Sequence, residues 1–228
     1  ARELKAQGKD ILSFSAGEPD FETPKRIKDE AIKAINEGFT QYTAVPGIPE
    51  LLEAISDKLK RDNGLEYAPA DIIASNGAKQ SLFNLFQATL NDADEVIIPA
   101  PYWVTYPELV KYAGAVPVII ETDEIGGFKI TADQLKEAIT SKTKMLILTT
   151  PSNPTGSVYS EDELRSLAEV LEGTDIIVAS DEMYEKLVYD IDFVATASIS
   201  EDMYQRTVTI NGLSKSVAMT GWRFGYLA

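Results

Sequence analysis

The chain has 228 residues, 36 acidic against 21 basic, for a formal net charge of −15. A composition 44% hydrophobic and 25% charged is that of a folded globular protein with a substantial core, and the acidic balance, with no basic run, argues against nucleic acid and anionic membrane surfaces as partners. There is no Cys and no His, which excludes disulfides, thiol nucleophiles, Ser-His-Asp triads and any thiolate or imidazole metal site. Catalysis here has to run on Lys, Tyr, Asp, Glu, Ser or Arg, or on a cofactor.

From Ala1 through about Leu65 the chain is helical in pattern and punctuated by Pro and Gly; it reads as an arm against the domain that follows, residues 1–45 forming an arm and interface segment and 46–228 the domain proper. Ile48, Leu51, Leu52, Ile55 and Leu59 recur at helical spacing. Beyond them, apolar runs alternate with amphipathic helices, the pattern of an α/β fold with a mainly parallel sheet. Seven strands are predicted, at Ile72–Ser75, Glu95–Pro99, Val116–Glu121, Lys144–Thr149, Asp175–Ser180, Thr207–Ile210 and Arg223–Leu227. Thr131 with Gln134, and Ser160 with Glu163, are capping boxes that fix two helix starts. Leu164, Leu167, Ala168 and Leu171 form the apolar stripe of the second helix. No run approaches the roughly 20 apolar residues of a membrane-spanning helix, and no signal-peptide pattern opens the chain. It begins at Ala1 rather than Met and stops at Ala228 directly after an apolar run, and so reads as a piece of a longer protein.

Ligands of open parallel sheets gather at the carboxyl ends of the strands, so the residues after each strand are the candidates. Asn76-Gly77-Ala78-Lys79-Gln80 is a small-residue turn entering a helix, suited to phosphate through free backbone N–H groups, or a plain connection. Tyr102 and Trp103 could stack on a planar ligand or belong to the core. Prolines 151 and 154 bracket Asn153 in a stiff loop. Asp181, at the mouth of an apolar strand, needs an Arg or a protonated ring nitrogen as partner. Tyr184 follows it, and Lys215 and Arg223 lie beyond the next strand, each by itself readable as an ordinary surface cation. A planar, anionic, pyridine-type aldehyde that bonds covalently to a lysine would use all of these groups at once: pyridoxal 5′-phosphate (PLP).

Those residues fall in stretches that together resemble the class I, fold-type I PLP-dependent aminotransferases, and among them bacterial aspartate aminotransferases: Ser15 to Phe21, Gln41-Tyr42-Thr43, Asn76 to Gln80, Pro101 to Trp103, Pro151 to Gly156, Ser180 to Tyr184, and Ser214-Lys215 with Met219 to Arg223. The matches occur in family order over nearly the whole chain. The resemblance implies a cytoplasmic homodimer with shared active sites that moves an amino group between an amino acid, aspartate by this likeness, and a 2-oxo acid such as 2-oxoglutarate, in ping-pong fashion. It assigns Lys215 as the covalent PLP lysine and proton carrier, and Asp181 as partner of the ring nitrogen. Tyr184 and Asn153 would hydrogen-bond the ring oxygen and Trp103 would stack on the ring. Ala78, Lys79 and Arg223 fall to the phosphate, with Tyr42 reaching the phosphate of a neighbouring subunit. Gly17, Trp103, Asn153 and Lys79 line the substrate side, Lys79 toward a distal carboxylate. Where some relatives carry a phosphate-binding Ser there is Gly212, leaving Ser214 as a substitute, and nothing matches the family's smaller C-terminal domain with its carboxylate-binding Arg. Aromatic or kynurenine-type transaminases and PLP β-lyases share the fold and remain open, as does a PLP-binding regulatory module.

Overall fold

The computed structural model describes residues 2–12 and 17–228, so Ser15 and Ala16 of the first matching stretch lie outside it. Each of the seven predicted runs becomes a strand of one sheet: β1 (Ile73–Ser75), β2 (Glu95–Pro99), β3 (Val116–Ile120), β4 (Thr143–Thr149), β5 (Ile177–Asp181), β6 (Thr207–Gly212) and β7 (Gly225–Leu227). Their order is β1-β7-β6-β5-β4-β2-β3. All neighbouring pairs from β3 to β6 are parallel, whereas β7 runs antiparallel to both β6 and β1. The exception has a simple cause. Parallel neighbours need a crossover, usually a helix, but β6 and β7 are joined by a short segment without an α-helix, and such a return favours the antiparallel partner.

β2 keeps both expected ends, and the other six strands shift at one end or both by one or two residues. β5 starts later, at Ile177, and runs through Asp181 itself; β6 extends to Gly212. The last strand begins at Gly225 rather than Arg223, because Arg223 takes the left-handed conformation, φ 56, which no strand accommodates.

The helices are α1 (Arg2–Ala6), α2 (Lys25–Asn36), α3 (Pro49–Lys58), α4 (Ala78–Thr89), α5 (Thr105–Tyr112), α6 (Ala132–Ala138), α7 (Glu161–Leu171) and α8 (Glu201–Arg206). Both capping boxes are present at the starts of α6 and α7, each with its reciprocal pair of hydrogen bonds. Alternate residues of β4 divide between two cores: Leu146 and Leu148 pack with α7, Met145 and Ile147 with α4 and α5. Burial on both faces is why these strands read as unbroken apolar runs. A third cluster unites Ile55, Leu59 and Leu65 with Tyr67, Ile72 and Tyr226. It seats α3 on the sheet, while Leu59–Asn63 continues the helix as a π turn closed by Gly64 at φ 69. By contrast α2 buries no residue and exposes Ile32 and Ile35. The segment before it is tied in by Thr23, whose hydroxyl donates to the Ala218 carbonyl at 2.5 Å and lies 3.1 Å from the indole nitrogen of Trp222. Among the described residues, no helix is long and apolar enough to cross a membrane.

Candidate active site

The carboxyl ends of β4, β5 and β6 open with the N-terminus of α4 on a cleft of about 640 Å³. Gly17, Ala78, Lys79, Trp103, Asn153, Asp181, Tyr184, Lys215 and Arg223 all line it, from segments spread over most of the chain. Tyr42 does not: its side chain is wholly exposed, outside this wall.

Asp181, 6% exposed, is the deepest acid of the cleft. Tyr106 donates its hydroxyl proton to Oδ2 at 2.7 Å, and the Met183 N–H donates to Oδ1 at 3.2 Å. Burial pushes its carboxyl above the usual range against these two hydrogen bonds, and no cation among the described residues pairs with it. A buried carboxylate facing a cleft without a cationic partner is electrostatically matched to a protonated ring nitrogen.

Tyr184 is half-buried, with the Asn153 amide donating to its hydroxyl at 3.4 Å. Burial, and then the charge of Asp181, raise its phenol above the usual value. Trp103 stands edge-on to Tyr106, ring centroids 5.5 Å apart, so the indole is held by a residue that also holds Asp181. The Lys79 ammonium lies 4.8 Å from the Trp103 ring centroid.

Lys215 stands in the β6–β7 connection, its Nζ 5.8 Å from the Tyr184 ring centroid and donating to the Gly17 carbonyl. Desolvation lowers its ammonium pKa, with the Arg223 charge adding to the effect and Glu18 opposing it. A lysine so placed releases its proton more readily than one in water, as an amine nucleophile requires. Ser214 beside it is buried and also faces the cleft.

The Arg223 side of the cleft rests on close backbone packing. Gly77, at φ 88, precedes α4, and a Cβ there would stand 2.2 Å from a guanidinium nitrogen of Arg223. A Cβ on Gly225 would meet the Ala78 nitrogen at 2.3 Å. These glycines let Arg223 and the first N–H groups of α4 converge on one spot, a cradle for a dianion. The donor set therefore fits a pyridine ring bearing a phosphate. Gly212 has its own steric reason: a Cβ there would lie 2.7 Å from the Phe224 carbonyl, so a serine in that position requires β7 to move.

The sequence did not single out Tyr106, Thr149, Met183, Glu18 or Thr220. Thr149 supports the Tyr106 hydroxyl at 2.9 Å, and the Thr220 hydroxyl donates to Glu18 at 3.1 Å. The only signal for Tyr106 was its spacing of three from Trp103; that it meets Asp181 depends on how α5 sits across the sheet.

Comparison with known proteins returns a family and a set of close relatives. The family model for aminotransferase class I and II matches residues 9–228. The aspartate aminotransferase of Bacillus sp. (strain YM-2) is 54% identical over 229 residues, which cover 100% of this chain and 58% of that protein. The aspartate/prephenate aminotransferase of Cereibacter sphaeroides is 53% identical over 230 residues, with the same shares covered. Among solved structures, the aspartate aminotransferase from Rhizobium meliloti matches with a TM-score of 0.97 at 45% identity, over 100% of this chain and 57% of that one. The chain thus spans about 58% of the length of the curated relatives it matches.

Proposed function

The chain belongs to the aminotransferase class I and II family, and on that premise we propose that the protein of which it is part transfers the amino group of an amino acid, aspartate first, to a 2-oxo acid such as 2-oxoglutarate. Enzymes of this family depend on PLP. The observation that carries the reading is that Lys215 and the cation-deficient Asp181 open on one cleft with the Arg223 cradle. In the ping-pong scheme one substrate leaves before the next enters, so a single cleft serves both halves.

When bound, PLP supplies an aldehyde that captures amines and a ring that accepts an electron pair from the substrate's Cα. The chain's own groups do the rest. Asp181 holds a proton on the ring nitrogen by charge, and Tyr106 and Met183 fix that carboxylate in place. Asn153 and Tyr184 donate hydrogen bonds toward the ring oxygen. Trp103, which lines the cleft, would stack on the ring and keep water from it. Arg223 and the α4 amides from Ala78 onward grip the phosphate, which fixes the ring's depth. Lys215 Nζ, its proton affinity lowered by desolvation, would take the proton from the substrate's Cα and carry it to the carbon on the other side of the transferred nitrogen. The Gly17 backbone stands beside Nζ, where a substrate carboxylate can approach.

Lys79 is the proposed contact for the second carboxylate of the substrate. It sits at the cleft mouth on the first turn of α4, over Trp103, on a stem long enough to swing. In the full-length protein, Lys79→Ala is expected to lower kcat/KM for aspartate and glutamate by about 2–3 kcal/mol more than for alanine or phenylalanine. Steady-state kinetics on the four amino acids decide it: an equal fall for all four would remove Lys79 from substrate choice. Absence of any transamination in the full-length wild type would overturn the functional reading itself.

The active unit is proposed as a cytoplasmic homodimer acting on small molecules, without nucleic acid or membrane partners. Tyr42, exposed here, is proposed to reach the phosphate of the neighbouring subunit's site. Mixing inactive Lys215→Ala chains with impaired Tyr42→Phe chains is then expected to restore part of the activity, because some hybrid sites regain both residues. No recovery in verified heterodimers would mean that each subunit builds its site alone.

A further inference from the structure

Asp181 and Glu182 are neighbours at the end of β5, so strand alternation sends their carboxyls to opposite faces. Asp181 meets Tyr106 and the cleft, whereas Glu182 is fully buried on the reverse side. There its Oε1 accepts from the Thr196 N–H and from the Ser180 hydroxyl, both at 3.0 Å. Three residues on, the buried Glu185 forms an ion pair with Lys58 and accepts from the Asn63 amide at 2.9 Å. The turn that carries Tyr184 is therefore fastened at each end from behind: Glu182 ties it to the segment around Thr196, and Glu185 ties it to the end of α3 and its π turn. The Glu185 N–H closes it onto the Glu182 carbonyl at 3.0 Å.

The two fastenings differ in charge. Lys58 neutralises Glu185 directly. Glu182 has two donors on Oε1, but its Oε2 is sealed from solvent with no hydrogen-bond partner among the described residues. An ionised carboxylate with one bare buried oxygen is costly, and a proton on that oxygen removes the charge. The titratable groups around Glu182 are Glu185, Lys58, Tyr67 and Tyr226. Burial pushes the Glu182 carboxyl up to about 7; the Glu185 charge adds to that, while the Oε1 hydrogen bonds and Lys58 oppose it.

We propose that Glu182 is a positioning residue: with a proton on Oε2 it locks the Asp181–Tyr184 turn from the reverse face of the sheet, and its ionisation loosens that turn. The part that concerns the cofactor rests on the PLP reading of the cleft; the protonation part does not.

The test uses full-length wild type, Glu182→Gln and Glu182→Leu. The folded-state pKa lies above the ordinary 4.5, so the stability this group contributes is complete below that value and is lost as pH rises through about 7. The Tm of the wild-type apoprotein should therefore fall relative to Glu182→Gln between about pH 4.5 and 7 and level off above, since Gln keeps the Oε1 acceptor and cannot ionise. The PLP dissociation constant is the second readout. Glu182→Gln should match wild type within about twofold near pH 6 and bind increasingly more tightly than wild type toward about pH 8.5. Glu182→Leu, which strips the Thr196 and Ser180 donors of their acceptor, should weaken PLP about tenfold across the range. A Gln-to-wild-type difference that stays flat with pH in both readouts overturns the protonated lock. Wild-type PLP affinity in Glu182→Leu overturns the positioning role; if the Leu variant does not fold, the Gln comparison decides alone. If wild type binds no PLP, the reading of the cleft and the cofactor-positioning role both fall, and the Tm comparison still decides whether Glu182 holds the proton.

Discussion

In the full-length protein, Lys215→Ala is expected to lower kcat by at least about 10⁴-fold, because one substitution removes both the amine proposed to bond the cofactor and the base proposed to move the proton. Among the described residues no other lysine stands in its place. Lys79 is the other lysine lining the cleft, and it stands over the Trp103 ring on the α4 side, away from the Gly17 carbonyl that Lys215 touches. The fold should be indifferent to the change, since Lys215 is only half-buried and its one hydrogen bond is to a backbone carbonyl. Single-turnover rates with aspartate, alongside thermal unfolding, separate the two effects. Activity within tenfold of wild type would remove Lys215 from the chemistry.

Asp181→Asn is the second large effect, and it should move activity and stability in opposite directions. The loss of the charge proposed to face the ring nitrogen is expected to cost about 3–4 kcal/mol of transition-state stabilisation, roughly 10²–10³-fold in kcat. In the apoprotein the carboxylate's burial is a liability. Its folded-state pKa is raised, so its contribution to stability is complete below the ordinary carboxylate value and is lost as pH rises above it. An amide carries no such cost at neutral pH. It also keeps the local bonds: its oxygen accepts from Met183 N–H and its NH₂ donates to the Tyr106 oxygen, while the Tyr106 hydroxyl proton turns to Thr149. The Asn apoprotein should therefore unfold at a higher temperature than wild type at neutral pH, by a margin that shrinks as pH falls. A variant that is fully active, or less stable at neutral pH, would contradict the assignment.

The parts of this molecule that the sequence reveals are those decided by burial and local bonding. Glu95–Pro99 and the run ending at Thr149 announce themselves because strands covered on both faces have no polar face to show. Thr131 and Ser160 mark helix starts because a capping box is complete within four residues. The rim is legible for the same reason: Asp181 at the end of an apolar strand, and Asn153 between two prolines, stand out against their surroundings. What stays hidden depends on distant segments meeting. The left-handed Arg223 and the late start of β7 sit where Gly225 packs on Gly77 and Ala78 and Gly77 packs on Arg223, segments far apart in the chain. Tyr106 reaches Asp181 across 75 positions, and no local pattern distinguishes it from a core tyrosine. The reverse-face grip on Glu182 is hidden likewise, since Thr196 lies in a segment without regular strand or long helix.

Lys215 is the residue proposed to bind PLP covalently. Borohydride reduction of the full-length protein loaded with PLP, followed by peptide mapping, tests it directly. A pyridoxyl group is expected on the peptide carrying Lys215, with a loss of activity in step with labelling. Labelling of Lys79 or another lysine in its place, or no labelling at all, would contradict it.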